Sequence, residues 1–326
     1  MLPFKIPAGL ATQALLVALA FAACKRGAKS NESPATAETT KVPQSIPLEL
    51  WTEFSGQRAM ENARLQVECG PRAAGSPELA HARERITTAL QASGWNTELQ
   101  QFTTPTPNGP VQMVNVIARF PLESGNRAGL ASQKVIVASH YDTKLFRTIS
   151  FVGANDGASS TGALLELARV LAMDPPLAAQ VELVFFDGEE ALQQFTETDG
   201  LYGSRYYATQ LRDSGRAAQF TCGIVWDMIG DKDLTITLPI DSPKNLTVGI
   251  LASANKLNCK NAFRIFERPM LDDHVPLNQI ARIPSLDIID FEYAPWHTAD
   301  DTLDKLSANS LQTIGAVTLH YLKQNF

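Results

Sequence analysis

Histidine and cysteine are scarce in this 326-residue sequence, with five of the first and four of the second. No two cysteines form a C-x-x-C pair, so a cysteine-built structural zinc site is excluded. Positive charge is not in excess either: 28 Lys and Arg face 34 Asp and Glu. The basic face of a nucleic-acid binder is therefore missing, and no nucleic-acid partner is expected. A G-x-S-x-G elbow, an H-E-x-x-H helix and a G-x-G-x-x-G turn after a strand are all absent. Their absence removes a serine-hydrolase elbow, a thermolysin-like metal site and a dinucleotide fold.

One apolar run stands out, Leu10 to Ala23, behind the positive charge of Lys5. It ends in small residues and is short for a membrane span, the pattern of an export signal. Cys24 after Phe21-Ala22-Ala23 resembles a bacterial lipobox, although Phe21 stands where an aliphatic residue is usual. The resemblance implies a lipidated Cys24 as the chain's one membrane attachment, facing the periplasm or cell exterior, with plain secretion as the alternative. Lys25 to Gln44 is rich in Lys, Ser, Thr, Glu, Ala and Pro without apolar periodicity, as in a flexible tether. The expected organisation is a signal over 1–24, a tether over 25–45 and one catalytic domain over 46–326. In an exported chain Cys222 and Cys259 are the expected disulfide partners, with Cys69 free and buried.

Within that domain, helical spacing predicts a helix from Leu48 to Val67 and another from Ser76–Pro77, a cap and first-turn pair, to about Ser93. Strands are expected at Thr97–Thr103, Val111–Phe120, Val135–Ser139, Val181–Phe186, Gly223–Trp226, Leu234–Leu238 and Ser285–Ile289. Gly125–Ser132 reads as a surface loop. Further helices are expected over Ala158–Met173, halted by Asp174-Pro175-Pro176, from Tyr202, over Pro243–Leu257 and over Asn309–Lys323. Alternating strands and helices imply a single α/β domain, a central and mostly parallel mixed sheet with helices on both faces.

The residues that follow the strands carry the chemistry. Val181–Phe186 runs straight into Asp187, Gly188, Glu189 and Glu190. Alone, that acidic pair is evenly balanced between a solvated turn and a site. His140 follows a second strand and Asp227 a third, and ligands in open α/β sheets bind outside the carboxyl ends of strands. Three strands delivering polar groups to one edge favour a site, and a metal best explains the grouping. Asp156, Glu190 and His297 offer the three protein ligands of a catalytic zinc, leaving Glu189 free as general acid/base.

The order of motifs resembles the zinc-dependent aminopeptidase superfamily, and within it the glutaminyl-peptide cyclotransferases. The matching segments are His140-Tyr141-Asp142-Thr143-Lys144, Phe151 to Asp156, Phe185 to Ala191, Leu201 to Arg205, Asp227 to Gly230, Asp272 to Pro276 and Trp296 to Asp301. The insertion Gln193–Gly200 between the glutamates and Gly203-Ser204 resembles the cyclases rather than the simpler aminopeptidases. The resemblance implies one zinc on Asp156, Glu190 and His297, and Glu189 as proton shuttle. It implies Asp227 and Asp272 as a hydrogen-bonded acidic pair, Trp296 lining the substrate pocket, and His140 where two-metal relatives hold a second ion. Phe195 stands where the cyclases usually place a Trp, and Asp287 where animal enzymes carry a second histidine. The implied substrate is a peptide with N-terminal glutamine, closed to pyroglutamate with release of ammonia. The alternatives are a secreted zinc aminopeptidase with one or two metals and a non-enzymatic binding module. Bland readings are expected for His81 and His320 (surface), Asp142 with Lys144 (a local salt bridge) and Asp300-Asp301 (a cap before the last helix). For His274 two readings stay open, an orienting contact to Asp272-Asp273 or exposure.

Overall fold

A computed structural model describes residues 49–122 and 133–326. The export signal, the tether, Cys24 and the Gly125–Ser132 loop lie outside the described residues.

Among the described residues there are eight strands: β1 Asn96–Thr104, β2 Val111–Arg119, β3 Lys134–His140, β4 Val181–Phe186, β5 Phe220–Asp227, β6 Ile236–Pro239, β7 Phe263–Phe266 and β8 Ser285–Ile289. Six of them form one sheet in the order β1-β2-β4-β3-β5-β8. The first two pairings are antiparallel and the remaining three parallel. The sheet is thus mixed, as expected, and its parallel half points the carboxyl ends of β3, β4, β5 and β8 in one direction. β6 and β7 pair separately, and Thr237 of β6 donates a hydrogen bond to the Ile289 carbonyl at the end of β8.

Helices cover both faces. They are α1 Gly56–Val67, α2 Pro77–Ala92, α3 Ser160–Leu171, α4 Pro175–Ala178, α5 Tyr202–Asp213, α6 Lys244–Lys256, α7 His274–Gln279 and α8 Ala308–Asn325. Alternation along the strands sorts their side chains between two cores. Val135, Val137, Leu183, Phe185, Ile224 and Trp226 belong to the larger, with α2, α3 and α8. Ile136, Ala138, Val184, Phe186 and Val225 meet Tyr207, Leu211 and Leu277 of α5 and α7 on the other face. Every residue of β4 is buried, Glu182 included. Its carboxylate is held by Arg119 at 2.6 Å, Arg216 at 2.7 Å and the Tyr207 hydroxyl at 2.6 Å, which offsets the cost of burying the charge.

Local chemistry sets the element ends. Ser76 accepts from the Leu79 amide and Pro77 opens α2, as its sequence predicts. The expected Leu48–Val67 helix is instead a 3-10 turn, Leu50–Glu53, a break, and α1. Ser55 makes the break: its amide donates to Glu166 at 2.9 Å and its hydroxyl caps the new helix at Arg58. Asp174 does not only stop α3; its carboxylate caps α4, whose first two positions are the prolines. β7 and α7 were not expected, being too short to show a period.

The cysteine expectation is corrected. Cys69, Cys222 and Cys259 are all free. Cys222 is buried in β5 beside the Tyr321 hydroxyl, whereas the Cys259 sulfur turns back to the Ala254 carbonyl of the preceding helix, α6. Cys69 is half-buried rather than buried. His81 is exposed as expected. His320 is not a surface residue, because α8 is covered on that side too. It is buried, accepting or donating to Ser253 at 3.0 Å and lying edge-on to Trp51.

Candidate active site

The carboxyl ends of β3, β4 and β5 deliver His140, Glu189-Glu190 and Asp227 to one place, as their sequence positions imply. Asp156 arrives from a kinked turn, Ala154–Ser159, that leads into α3, with Asp156 and Gly157 themselves out of helical conformation. Gly157 makes this turn possible. It sits at φ +91°, and a Cβ there would lie 2.7 Å from the Asp142 carbonyl oxygen and 3.1 Å from the His140 ring. His297 comes from the chain before α8, itself in the left-handed region at φ +57°. Its ring is boxed by Trp296, stacked at 4.2 Å, and by the edges of Phe146 and Phe151.

Two sets of three potential metal ligands result, and Asp156 belongs to both. In the first, Nε2 of His297 lies 3.3 Å from Asp156 and 3.1 Å from Glu190. In the second, Nε2 of His140 lies 3.3 Å from Asp156 and 3.1 Å from Asp227. Within each set the ligand atoms fall inside 4.8 Å of one another. The donors fit a divalent metal. Asp156 Oδ2 and Glu190 Oε2 are buried without a hydrogen-bond partner, and imidazole with carboxylate is the donor set of a catalytic zinc rather than of a thiolate site.

The electrostatics of the metal-free protein express the same crowding. Burial and the neighbouring Asp156 charge push Glu190 up to about 7, against the pull of His297. Burial pushes Asp227 up to about 7, with His140 opposing. Burial, then the Glu190 charge, raises Glu189 well above the carboxylate range. Asp156 goes the other way: burial alone would raise it, but the adjacent His140 and His297 rings, each 3.3 Å away, hold it well below normal. Burial opposes the charged form of His297, yet Asp156 and Glu190 raise it to about 10.

Several expected contacts are rearranged. Asp142 and Lys144 form no salt bridge. Asp142 accepts from the amides of Glu189 at 3.1 Å and Glu190 at 3.2 Å, fixing the turn that carries both glutamates. Lys144 is nearly buried, with Nζ 3.7 Å from Glu190 and a hydrogen bond to the Ala191 carbonyl. Asp301 does not cap the last helix, which Ser307 caps. It accepts from the amides of Asn155 and Asp156 at 2.8 and 3.1 Å, and from the Tyr293 hydroxyl. Asp227 and Asp272 line the same cavity, but the nearest partner of the Asp227 carboxylate is His140. His274 is buried rather than exposed, its Nδ1 3.6 Å from the equally buried Asp287. Arg72 was not anticipated as part of the site. Wholly buried, it donates to the carbonyls of Tyr141, Val152 and Gly153 and so staples the loop before Asp156. An arginine between Pro71 and Ala73 carries no pattern that separates a staple from a solvated charge.

A cavity of about 240 Å³ opens above these groups. Glu189, Asp227 and Asp272 form its polar floor, and Phe195, Met270, Phe291 and Trp296 its apolar walls. That is small beside the ~300–1,000 Å³ of pockets for drug-sized ligands. It suits the end of a chain better than its middle.

Residues 115–322 match the family described as peptidase family M28, and the chain belongs to that family. Proteins similar to it include several named as glutaminyl cyclases. It is 29% identical over 312 residues to the glutaminyl-peptide cyclotransferase-like protein of Bos taurus, covering 87% of this chain and 77% of that one. Its fold is similar to the crystal structure of an Acidobacteriales bacterium glutaminyl cyclase, with 34% identity, a TM-score of 0.77, and coverage of 90% and 98% of the two chains. The glutaminyl cyclase of Porphyromonas gingivalis gives 26% identity, a TM-score of 0.75, and coverage of 84% and 99%.

Proposed function

We propose that the chain is a glutaminyl-peptide cyclotransferase that uses one zinc held by Asp156, Glu190 and His297 to convert N-terminal glutamine to pyroglutamate with release of ammonia. The observation that carries the reading is the small pocket beside the glutamates. A free, buried carboxylate, Glu189, stands beside a three-ligand metal set under a cavity with room for one N-terminal residue.

When bound, the metal supplies Lewis acidity toward the side-chain amide carbonyl. The remaining work falls to the chain. The apolar walls, Trp296 and Phe195 among them, hold the glutamine side chain folded toward its own α-amine, a near-attack arrangement within one flexible residue. Burial makes Glu189 a stronger base than an exposed glutamate, so it can accept the proton of the attacking amine. The new bond joins the α-nitrogen to the side-chain carbonyl carbon. The bond to the amide nitrogen breaks, and Glu189 returns its proton to that nitrogen as it leaves as ammonia. Asp227 and Asp272, beside it in the cavity, accept hydrogen bonds from the departing nitrogen.

The residues before the domain support export: Lys5, the apolar run to Ala23 and Cys24 fit a signal with a lipid anchor, and residues 25–45 a tether to the 46–326 domain. Among the described residues no helix is long and apolar enough to cross a membrane.

A paired assay on the zinc-loaded protein tests the activity. A glutaminyl peptide should release ammonia and yield a pyroglutamyl peptide, while a leucyl amide should stay intact. Free leucine without pyroglutamate would replace this reading with an aminopeptidase, for which the second ligand set around His140 is ready-made.

A further inference from the structure

Between Glu190 and α5 the chain leaves the site and comes back over residues 192–200, organised around one side chain. Asp199 is only 3% exposed. One of its oxygens accepts from the Leu192 amide and the Tyr202 hydroxyl, both at 2.8 Å. The other accepts from the amides of Gln193 at 3.0 Å and Gln194 at 2.9 Å. Four donors thus converge on one carboxylate, and such charge-assisted bonds are about twice as strong as neutral ones. Burial would raise this carboxyl, but the bonds from Gln194, Tyr202 and Leu192 hold it below its ordinary range.

What this knot holds is Phe195, whose ring walls the substrate cavity. Its place is fixed from the far side as well. Gly200, at φ +109°, packs under the ring so closely that a Cβ would lie 2.6 Å from it. The returning strand then ties directly to the catalytic turn. The Leu201 amide donates to the Glu189 carbonyl at 2.7 Å and the Tyr202 amide to the Gly188 carbonyl at 2.8 Å.

We propose that Asp199 is the positioning residue of the pocket wall: its carboxylate fixes residues 192–200 in the shape that sets Phe195 against the substrate side chain, and thereby governs substrate affinity without touching substrate. This rests on the reading of the cavity as the glutamine site. Asp199 itself lies outside the metal ligands and the proton-transfer groups, so its removal acts through Phe195.

The test is steady-state ammonia release from a glutaminyl peptide by the zinc-loaded wild type, Asp199→Ala, Phe195→Ala and the double variant. Asp199→Ala should lose on the order of tenfold to a hundredfold in kcat/KM, carried by KM, with zinc content unchanged. In the Phe195→Ala background the same substitution should cost little more, since both act on one wall. Additive losses, or a lowered melting temperature with KM unchanged, would overturn the proposal. Should Asp199→Ala fail to fold, Asp199→Asn keeps one acceptor oxygen and carries the test: a raised KM supports the proposal and a wild-type KM sinks it. A wild type that releases no ammonia at all refutes the cyclase reading instead, which keeps the two failures apart.

Discussion

At the scale of single residues, the proposed function gives the adjacent acids after β4 separate tasks, and the turn aims them differently. Both amides are held by Asp142, yet only Glu190 reaches His297. Glu189→Gln should therefore lower turnover by about 10²–10⁴-fold, the usual worth of a general base, with zinc content intact by elemental analysis. Glu190→Gln should lose the metal. The opposite pattern would mean the roles are exchanged. Asp187, just before them, is buried against the Val114 amide and the Tyr141 hydroxyl. Burial, with the charge of Asp142, raises it to about 8 from the 3.8 of an ordinary aspartate. Between those values the folded state binds more protons than the unfolded one, so this residue's contribution to stability falls as pH rises. Asparagine has no such proton to lose. Asp187→Asn should accordingly gain stability relative to the parent between pH 4 and pH 8, by on the order of 1 kcal/mol or more, in denaturant titrations at fixed zinc. Parallel profiles for the two proteins would count against a protonated Asp187.

At the scale of elements, the strands were legible because burial on both faces leaves a largely apolar run, as in β4 with Glu182 its one exception. What the sequence does not display is side chains acting on distant backbone. Asp301 and Arg72 each sit in polar, turn-rich stretches that read as solvated loops. Their partners lie up to 146 positions away, as for Asp301 and the Asn155 amide, and no local period encodes that. The break before α1 and the burial of His320 escaped for the same reason, being set by Glu166 and by Trp51. Asp301 shows what such a contact does. It holds the two amides of the turn that aims Asp156, much as outer groups orient metal ligands elsewhere. Asp301→Ala should weaken zinc binding by about 10–100-fold while leaving the sheet intact, measured by competition with a chromogenic chelator alongside circular dichroism. Unchanged affinity would show that Asp156 is positioned by the kinked turn alone.

At the scale of the whole molecule, the sheet gathers a large share of the buried acidity into one place. Asp142, Asp156, Asp187, Glu189, Glu190, Asp227, Asp272, Asp273 and Asp287 are all buried near the ends of the parallel strands. Asp273 and Asp287 have no hydrogen-bond partner on either oxygen among the described residues. Without a cation this cluster opposes folding through desolvation and mutual repulsion. A divalent metal bound as proposed would answer both costs, and its ligands come together only in the folded arrangement of the end of β4, the kinked turn before α3 and the segment before α8. Linkage then ties stability to metal: free zinc at 100 times its dissociation constant should add about 2.7 kcal/mol, seen as a melting temperature that rises with zinc and falls on chelation. The two ligand sets share Asp156, and the polar floor below the cavity needs Asp227 free to meet the leaving nitrogen. Titration should accordingly saturate at one zinc per chain, with Glu190→Gln abolishing the thermal shift and His140→Gln leaving most of it. A second equivalent bound as tightly as the first, lost with His140, would assign the site to two-metal hydrolysis instead.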